Sequence, residues 1–420
     1  MTPPTDGRWS VAALTWVSLM LVTPLNAGQS AGRSFTARLA TTPGFLEAVV
    51  TVLACILVLQ TLWRNRSGFS RVLRRPQLAA LATYYGLGLL AAFFSEYRLF
   101  ALAYAGQALI GLGLTVVVFG NMGSQKRRPG MEIVYGACAF ACALTAAVWV
   151  IQPDAVLRGQ GGGQYRLGGI GLHPNQLGFL AAVLGIGGVR VALDSQSLRA
   201  RIVSVLLLAV ALPILVAARG RADTAGFLVG VAILLAMTGR WLWIAVGSAS
   251  AVIGLILVPG LGLQVLAFLN RGLHLPNVQG RWAVWVLLIN RSLATTKGWL
   301  LGEGIGTSSL VLRGALETWP NPGHGHNMLV EALHSLGIPG AGIVLIALVA
   351  IGVGVINLVI RHRNQPSADP ADLLAVFAIL AGVSLVEHSL AGRANVYSFV
   401  GWALAAITAS NVPDRGGGSS

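Results

Sequence analysis

Three short runs carry side chains that could act on an anionic substrate. Arg219 and Arg221 lie within Ala218-Arg219-Gly220-Arg221-Ala222-Asp223, between two apolar stretches. A guanidinium stays charged at physiological pH, and its planar fork binds phosphate through paired hydrogen bonds. The two arginines are two residues apart, so on a regular helix they point to different faces. One then serves a site, while the other pairs with Asp223 or reaches toward headgroups. A third arginine opens Gly280-Arg281-Trp282-Ala-Val-Trp285, the start of an amphipathic helical stretch to about Asn290. Its two tryptophans suit a membrane interface. His324 and His326 lie in Pro320-Asn-Pro-Gly-His324-Gly-His326-Asn327, just before another apolar stretch.

Each feature has a plainer reading. Interfacial arginines commonly do no more than reach lipid phosphates. His324 and His326 have no third ligand of suitable type nearby, so they read as loop histidines and not as metal ligands. Gly302, Gly304 and Gly306 lack the Lys-Ser/Thr and the strand–turn–helix setting of a phosphate loop. His173-Pro174-Asn175 fits a helix start. Glu331 with His334, and Glu387 with His388, are costly within apolar stretches. Each pair should therefore face the bundle, either joined structurally or lining a path. Cys55, Cys138 and Cys142 fall inside apolar stretches, and they read as small core residues without a disulfide framework.

The elements that must position these residues are membrane helices. Of 420 residues, 55% are hydrophobic and 10% charged, too few charges to cover a soluble domain of this size. Twelve stretches reach the roughly 20 apolar residues that a span needs: about 9–25, 44–62, 77–94, 99–120, 131–151, 175–193, 202–218, 223–239, 241–258, 326–358, 372–388 and 395–410. The tenth is overlong for one straight span. The chain therefore reads as all-α, a polytopic helical bundle forming a single membrane domain over 1–410, followed by a disordered tail over 411–420.

Net charge is +15, and its placement argues for topology over nucleic acid. Arg64, Arg66, Arg71, Arg74 and Arg75, then Lys126, Arg127 and Arg128, then Arg190, Arg199 and Arg201, then Arg240, then Arg361 and Arg363 fall on alternate loops. The positive-inside rule makes those loops cytoplasmic, and both termini with them. Two long loops then lie outside, about 152–174 and 259–325. The second would form a helical subdomain between spans nine and ten.

On these motifs the chain resembles the O-antigen ligases and O-antigen polymerases, lipid-linked oligosaccharide transferases of the bacterial inner membrane. The elements read Gly169-Ile-Gly-Leu-His-Pro174-Asn175, Gly220-Arg221-Ala222, Gly280-Arg281-Trp282-Ala-Val-Trp285, Gly304-Ile-Gly306, and His326-Asn327 with Gly337-Ile-Pro-Gly340. They follow the family's order over roughly 165–345. One departure is that Gly220 stands where the family usually has Ser before its arginine.

The resemblance implies transfer of a glycan from a polyprenyl pyrophosphate donor to the hydroxyl of a glycan or glycolipid acceptor, on the outer face, without metal or other cofactor. Arg221 and Arg281 would stabilise the charge growing on the leaving pyrophosphate. His326 would accept the acceptor's proton. Arg219, Asn175, Asn327 and His324 would bind substrate, with Asn327 alternatively capping the helix or orienting the histidine. The rival reading is a secondary transporter or lipid flippase. Against it, the two halves show no internal repeat, and the longest loop lies on one side.

Overall fold

The computed structural model describes residues 7–29, 41–120, 127–159, 165–170, 172–194, 197–257, 276–315, 325–362 and 369–411. His324, residues 258–275 of the expected outer loop, and the tail from 412 lie outside these.

Most described residues are helical. In order the helices are α1 (Gly7–Gln29), α2 (Thr42–Arg64), α3 (Arg66–Leu73), α4 (Pro76–Ala92), α5 (Arg98–Phe119), α6 (Arg127–Ile151) and α7 (Pro153–Val156). After the strands β1 (Leu157–Gly159) and β2 (Tyr165–Leu167) come α8 (Pro174–Asp194), α9 (Leu198–Ala218), α10 (Arg221–Met237) and α11 (Trp241–Leu257). The series ends with α12 (Pro276–Leu293), α13 (Thr296–Leu301), α14 (Ser308–Ala315), α15 (Met328–Arg361), α16 (Asp369–Ser384) and α17 (Val396–Ser410).

Among the described residues, six helices are long and apolar enough to cross a membrane: Gly44–Arg64, Arg98–Phe119, Gly130–Ile151, Pro174–Asp194, Leu198–Ala218 and Met328–Arg361. Four shorter apolar helices accompany them. The protein is an all-α, multi-pass membrane bundle. Helix is the natural solution here, because it satisfies its own backbone polar groups where lipid cannot. The free amides at helix starts are taken by polar side chains: Thr41 for α2, Ser197 for α9 and Asn395 for α17.

α17 is the axis of the bundle, buried along almost its whole length. Its aromatic side chains interlock with those around it. Phe399 meets Trp16 of α1 at 5.7 Å and Trp402 meets Tyr85 of α4 at 5.6 Å, both edge to face. α2, α9 and α11 instead leave large apolar side chains exposed, including Leu59, Val216 and Trp243. That is the pattern of helices whose outer surface meets lipid.

α8 packs along α9, α10 and α16. At its C-terminal end, Arg190 is buried with Nη1 2.8 Å from Asp372 Oδ2 on α16, and the Tyr135 hydroxyl of α6 donates to the same oxygen at 2.9 Å. The all-α expectation needs one small addition. β1 and β2 form an antiparallel pair with Arg158 opposite Arg166, in the first of the two long loops.

The overlong tenth stretch is two helices joined at a kink, with Leu336 and Gly337 outside helical geometry. Pro339 has no N–H, so the Ser335 carbonyl loses its partner four residues on. The Gly304 amide takes that carbonyl at 3.0 Å, and the Glu303 amide takes the carbonyl of His334 at 2.8 Å. Gly304 therefore belongs to a backbone splice, while Gly306 lies against the Tyr104 ring of α5. Gly302 and Gly337 both adopt φ 67°, and each lies against the other segment's backbone where a Cβ would collide.

Candidate functional site

The site forms at the end of the bundle where α8 and α15 begin and α16 has just ended. His326 sits one residue before the cap of α15 in a left-handed conformation, φ 48°. Asn327 is that cap. Its Oδ1 accepts from the amides of Leu329 and Val330 at 2.9 and 3.1 Å, and its Nδ2 donates to the Leu385 carbonyl at 3.0 Å. Of the roles open to Asn327, capping is the one observed, and its amide also ties the start of α15 to the end of α16.

Leu385 leads into Glu387, a buried carboxylate whose Oε1 lies 3.6 Å from His326 Nδ1. The same Oε1 accepts from Asn175 Nδ2 at 2.6 Å. The other end of that carboxamide, Oδ1, accepts from Arg166 Nη2 at 2.5 Å, and Arg166 Nε donates to the Ala218 carbonyl at 2.8 Å. Arg166, Asn175, Glu387 and His326 therefore form one line of polar contacts drawn from four separated segments. The expected helix start is also present, with the Asn175 amide donating to His173 Nδ1 at 3.3 Å. The His326 imidazole thus stands beside a carboxylate that has almost no contact with solvent.

The arginines divide. Arg281 is half-buried on α12, one turn before Trp285, whose hydrogen bond to Gly325 sets this end of α12 beside the His326 turn. Arg219 caps α9 with φ 52° and an exposed side chain, and Arg221 opens α10, also exposed. What turns inward from that junction is Asp223, 2% exposed. Its carboxylate packs against Gly178 of α8 and Gly220, where a Cβ on either glycine would overlap it. This accounts for glycine at the position where the resembled family has Ser.

The tryptophans of α12 also divide. Trp282 is 64% exposed, as an interfacial anchor would be. Trp285 turns into the protein, and its indole N–H donates to the Gly325 carbonyl at 2.6 Å. Glu331 and His334 are buried as expected of costly residues facing the bundle. Among the described residues, no three His, Cys, Asp or Glu side chains converge to hold a metal ion.

Two members of the line, Arg166 and Glu387, are not among the residues that the motifs single out. Arg166 reads as one more loop arginine. Glu387 carries a signal only in its cost, an ionisable residue closing an apolar stretch.

No protein-family model matches the chain, and no characterised protein matches it. Fold and site together define a class: a helical multi-pass membrane protein with a histidine backed by a carboxylate, a carboxamide and a guanidinium at one end of its bundle.

Proposed function

We propose that this protein is a glycosyltransferase of the O-antigen ligase and polymerase type. It moves a glycan from a polyprenyl pyrophosphate donor to an acceptor hydroxyl at the outer face of the bacterial inner membrane. The twelve apolar stretches of the sequence would be its spans, with both termini cytoplasmic.

The observation that carries this reading is His326 held against the buried Glu387, with Arg166 reaching the same carboxylate through Asn175. A carboxylate facing Nδ1 favours the tautomer that leaves Nε2 unprotonated. Nε2 then takes the proton of the acceptor hydroxyl as its oxygen attacks the anomeric carbon. The bond from that carbon to the pyrophosphate oxygen breaks, and its electrons leave with the lipid pyrophosphate. Arg281 and Arg221 stabilise the growing charge, most strongly in the transition state. Asn175, with both ends of its amide engaged, acts through Glu387. The order of the motifs along the chain supports the same reading.

The test uses cells lacking the native gene, complemented with expression-matched variants, and reads surface glycan and lipid-linked glycan. His326→Ala and Arg281→Ala should each abolish transfer, with donor accumulating. Arg281→Lys should remain poor, because Lys has no bidentate fork. Normal transfer by both alanine variants would overturn the assignment. Labelling of cysteines at 281 and 326 alternately from both sides of the membrane would point to a transporter instead.

A further inference from the structure

Gly325 is gripped from both sides. Its carbonyl accepts from the Trp285 indole at 2.6 Å, and its amide donates to Glu331 Oε2 at 3.0 Å. Glu331 Oε1 accepts from the Ser308 hydroxyl at 2.7 Å, so the grip extends to the first residue of α14. A small apolar cluster of its own, Val284, Leu288, Val311 and Leu312, packs beneath it, with Trp285 and Val330 against its edge. There is no slack at the centre. A Cβ on Gly325 would lie 3.0 Å from Glu331 Oε2 and 3.1 Å from Leu288 Cδ1.

Gly325 immediately precedes His326, whose left-handed backbone is unfavourable for a residue with a Cβ and persists only where its surroundings hold it. On the other side of the grip, Trp285 and Arg281 are four residues apart on α12. They share one face, about 6 Å apart along the axis. One hydrogen bond therefore couples two placements: the turn that presents His326 and the helix that presents Arg281.

We propose that Trp285 is a positioning residue, locking α12 onto the Gly325 carbonyl so that Arg281 and His326 address the same ligand. This rests on the reading of Arg281 as a pyrophosphate-binding residue. It explains why a tryptophan four residues after the arginine turns inward, when a purely interfacial anchor would resemble Trp282.

The experiment uses the full-length protein in lipid nanodiscs, with undecaprenyl pyrophosphate as the probe. Hydrogen exchange is followed in 276–293 and 325–331. Trp285→Phe keeps the ring and removes the N–H. It should speed exchange in both segments while leaving α8 and α17 unchanged, and should weaken probe binding about tenfold. In an Arg281→Ala background the same change should weaken binding no further, which a general loss of stability would not produce. Gly325→Ala, which disturbs the grip from the other side, should reproduce the exchange pattern.

Unchanged exchange around 325–331 in both variants overturns the lock. An undiminished effect of Trp285→Phe without Arg281 overturns the positioning role. If the unaltered protein does not bind undecaprenyl pyrophosphate, the pyrophosphate reading fails and takes the positioning role with it. The exchange data then report the α12 contact alone.

Discussion

Asn175 and Glu387 are joined by a hydrogen bond between the first turn of α8 and the segment just past α16. The other ends of these helices are joined by Arg190 and Asp372. Fifteen residues separate Asn175 from Arg190, and fifteen separate Asp372 from Glu387. This is the spacing of two antiparallel segments in one register, with their contacts about 22 Å apart. A slide of one turn, about 5.4 Å, would break both at once. The buried ion pair at one end thus helps set the carboxamide–carboxylate contact at the other.

The contact itself predicts an asymmetry. Asn175→Asp replaces the donor to Glu387 with a second carboxylate, and like charges at that separation cannot both ionise. Proton capture by the pair would weaken the negative charge behind His326. Glycan transfer should fall about a hundredfold, and at least as far as in Asn175→Ala, where the donor is lost without added charge. Transfer assays on membranes with matched protein levels would show this; an Asp variant more active than the Ala variant would contradict it.

The remote pin predicts a stability effect. Arg190→Met leaves Asp372 buried without its cationic partner, and should destabilise the fold by about 3–5 kcal/mol. Arg190→Met with Asp372→Leu removes both charges and should recover most of that loss. Thermal unfolding in detergent is the measurement, and a double variant as unstable as the single would argue against the ion pair as the cause.

Gly220 offers a packing test. Gly220→Ser would bring the chain closer to the family it resembles, yet its Cβ would overlap the Asp223 carboxylate. The cost should be about 1–3 kcal/mol. Removing the obstruction as well, in Gly220→Ser with Asp223→Gly, should relieve much of it. Accumulation and thermal stability would report both.

That the chain is helical and crosses a membrane follows from its residues alone. Apolar runs of that length have few other stable forms, because lipid leaves the backbone no outside partner. The sequence also marked His326, Arg281, Asn327 and Asn175, whose types and neighbours carry local signals: a histidine at a loop-to-helix junction, an arginine opening an amphipathic stretch, an asparagine at each helix start. The glycines at 302–306 were legible as unusual, but their partner at Pro339 was not. A free carbonyl created in one helix says nothing about which loop will fill it. That Glu387, some sixty residues beyond His326, stands behind it, and that Arg166 reaches it through Asn175, emerges only from the packed helices. Side-chain pairs across an antiparallel register depend on how two helices slide and rotate against each other, which is fixed by packing along their whole length and leaves no local mark. The same holds for Trp285. Its spacing from Arg281 is written in the chain, but that it faces inward to the His326 turn was settled by what lies beneath α12.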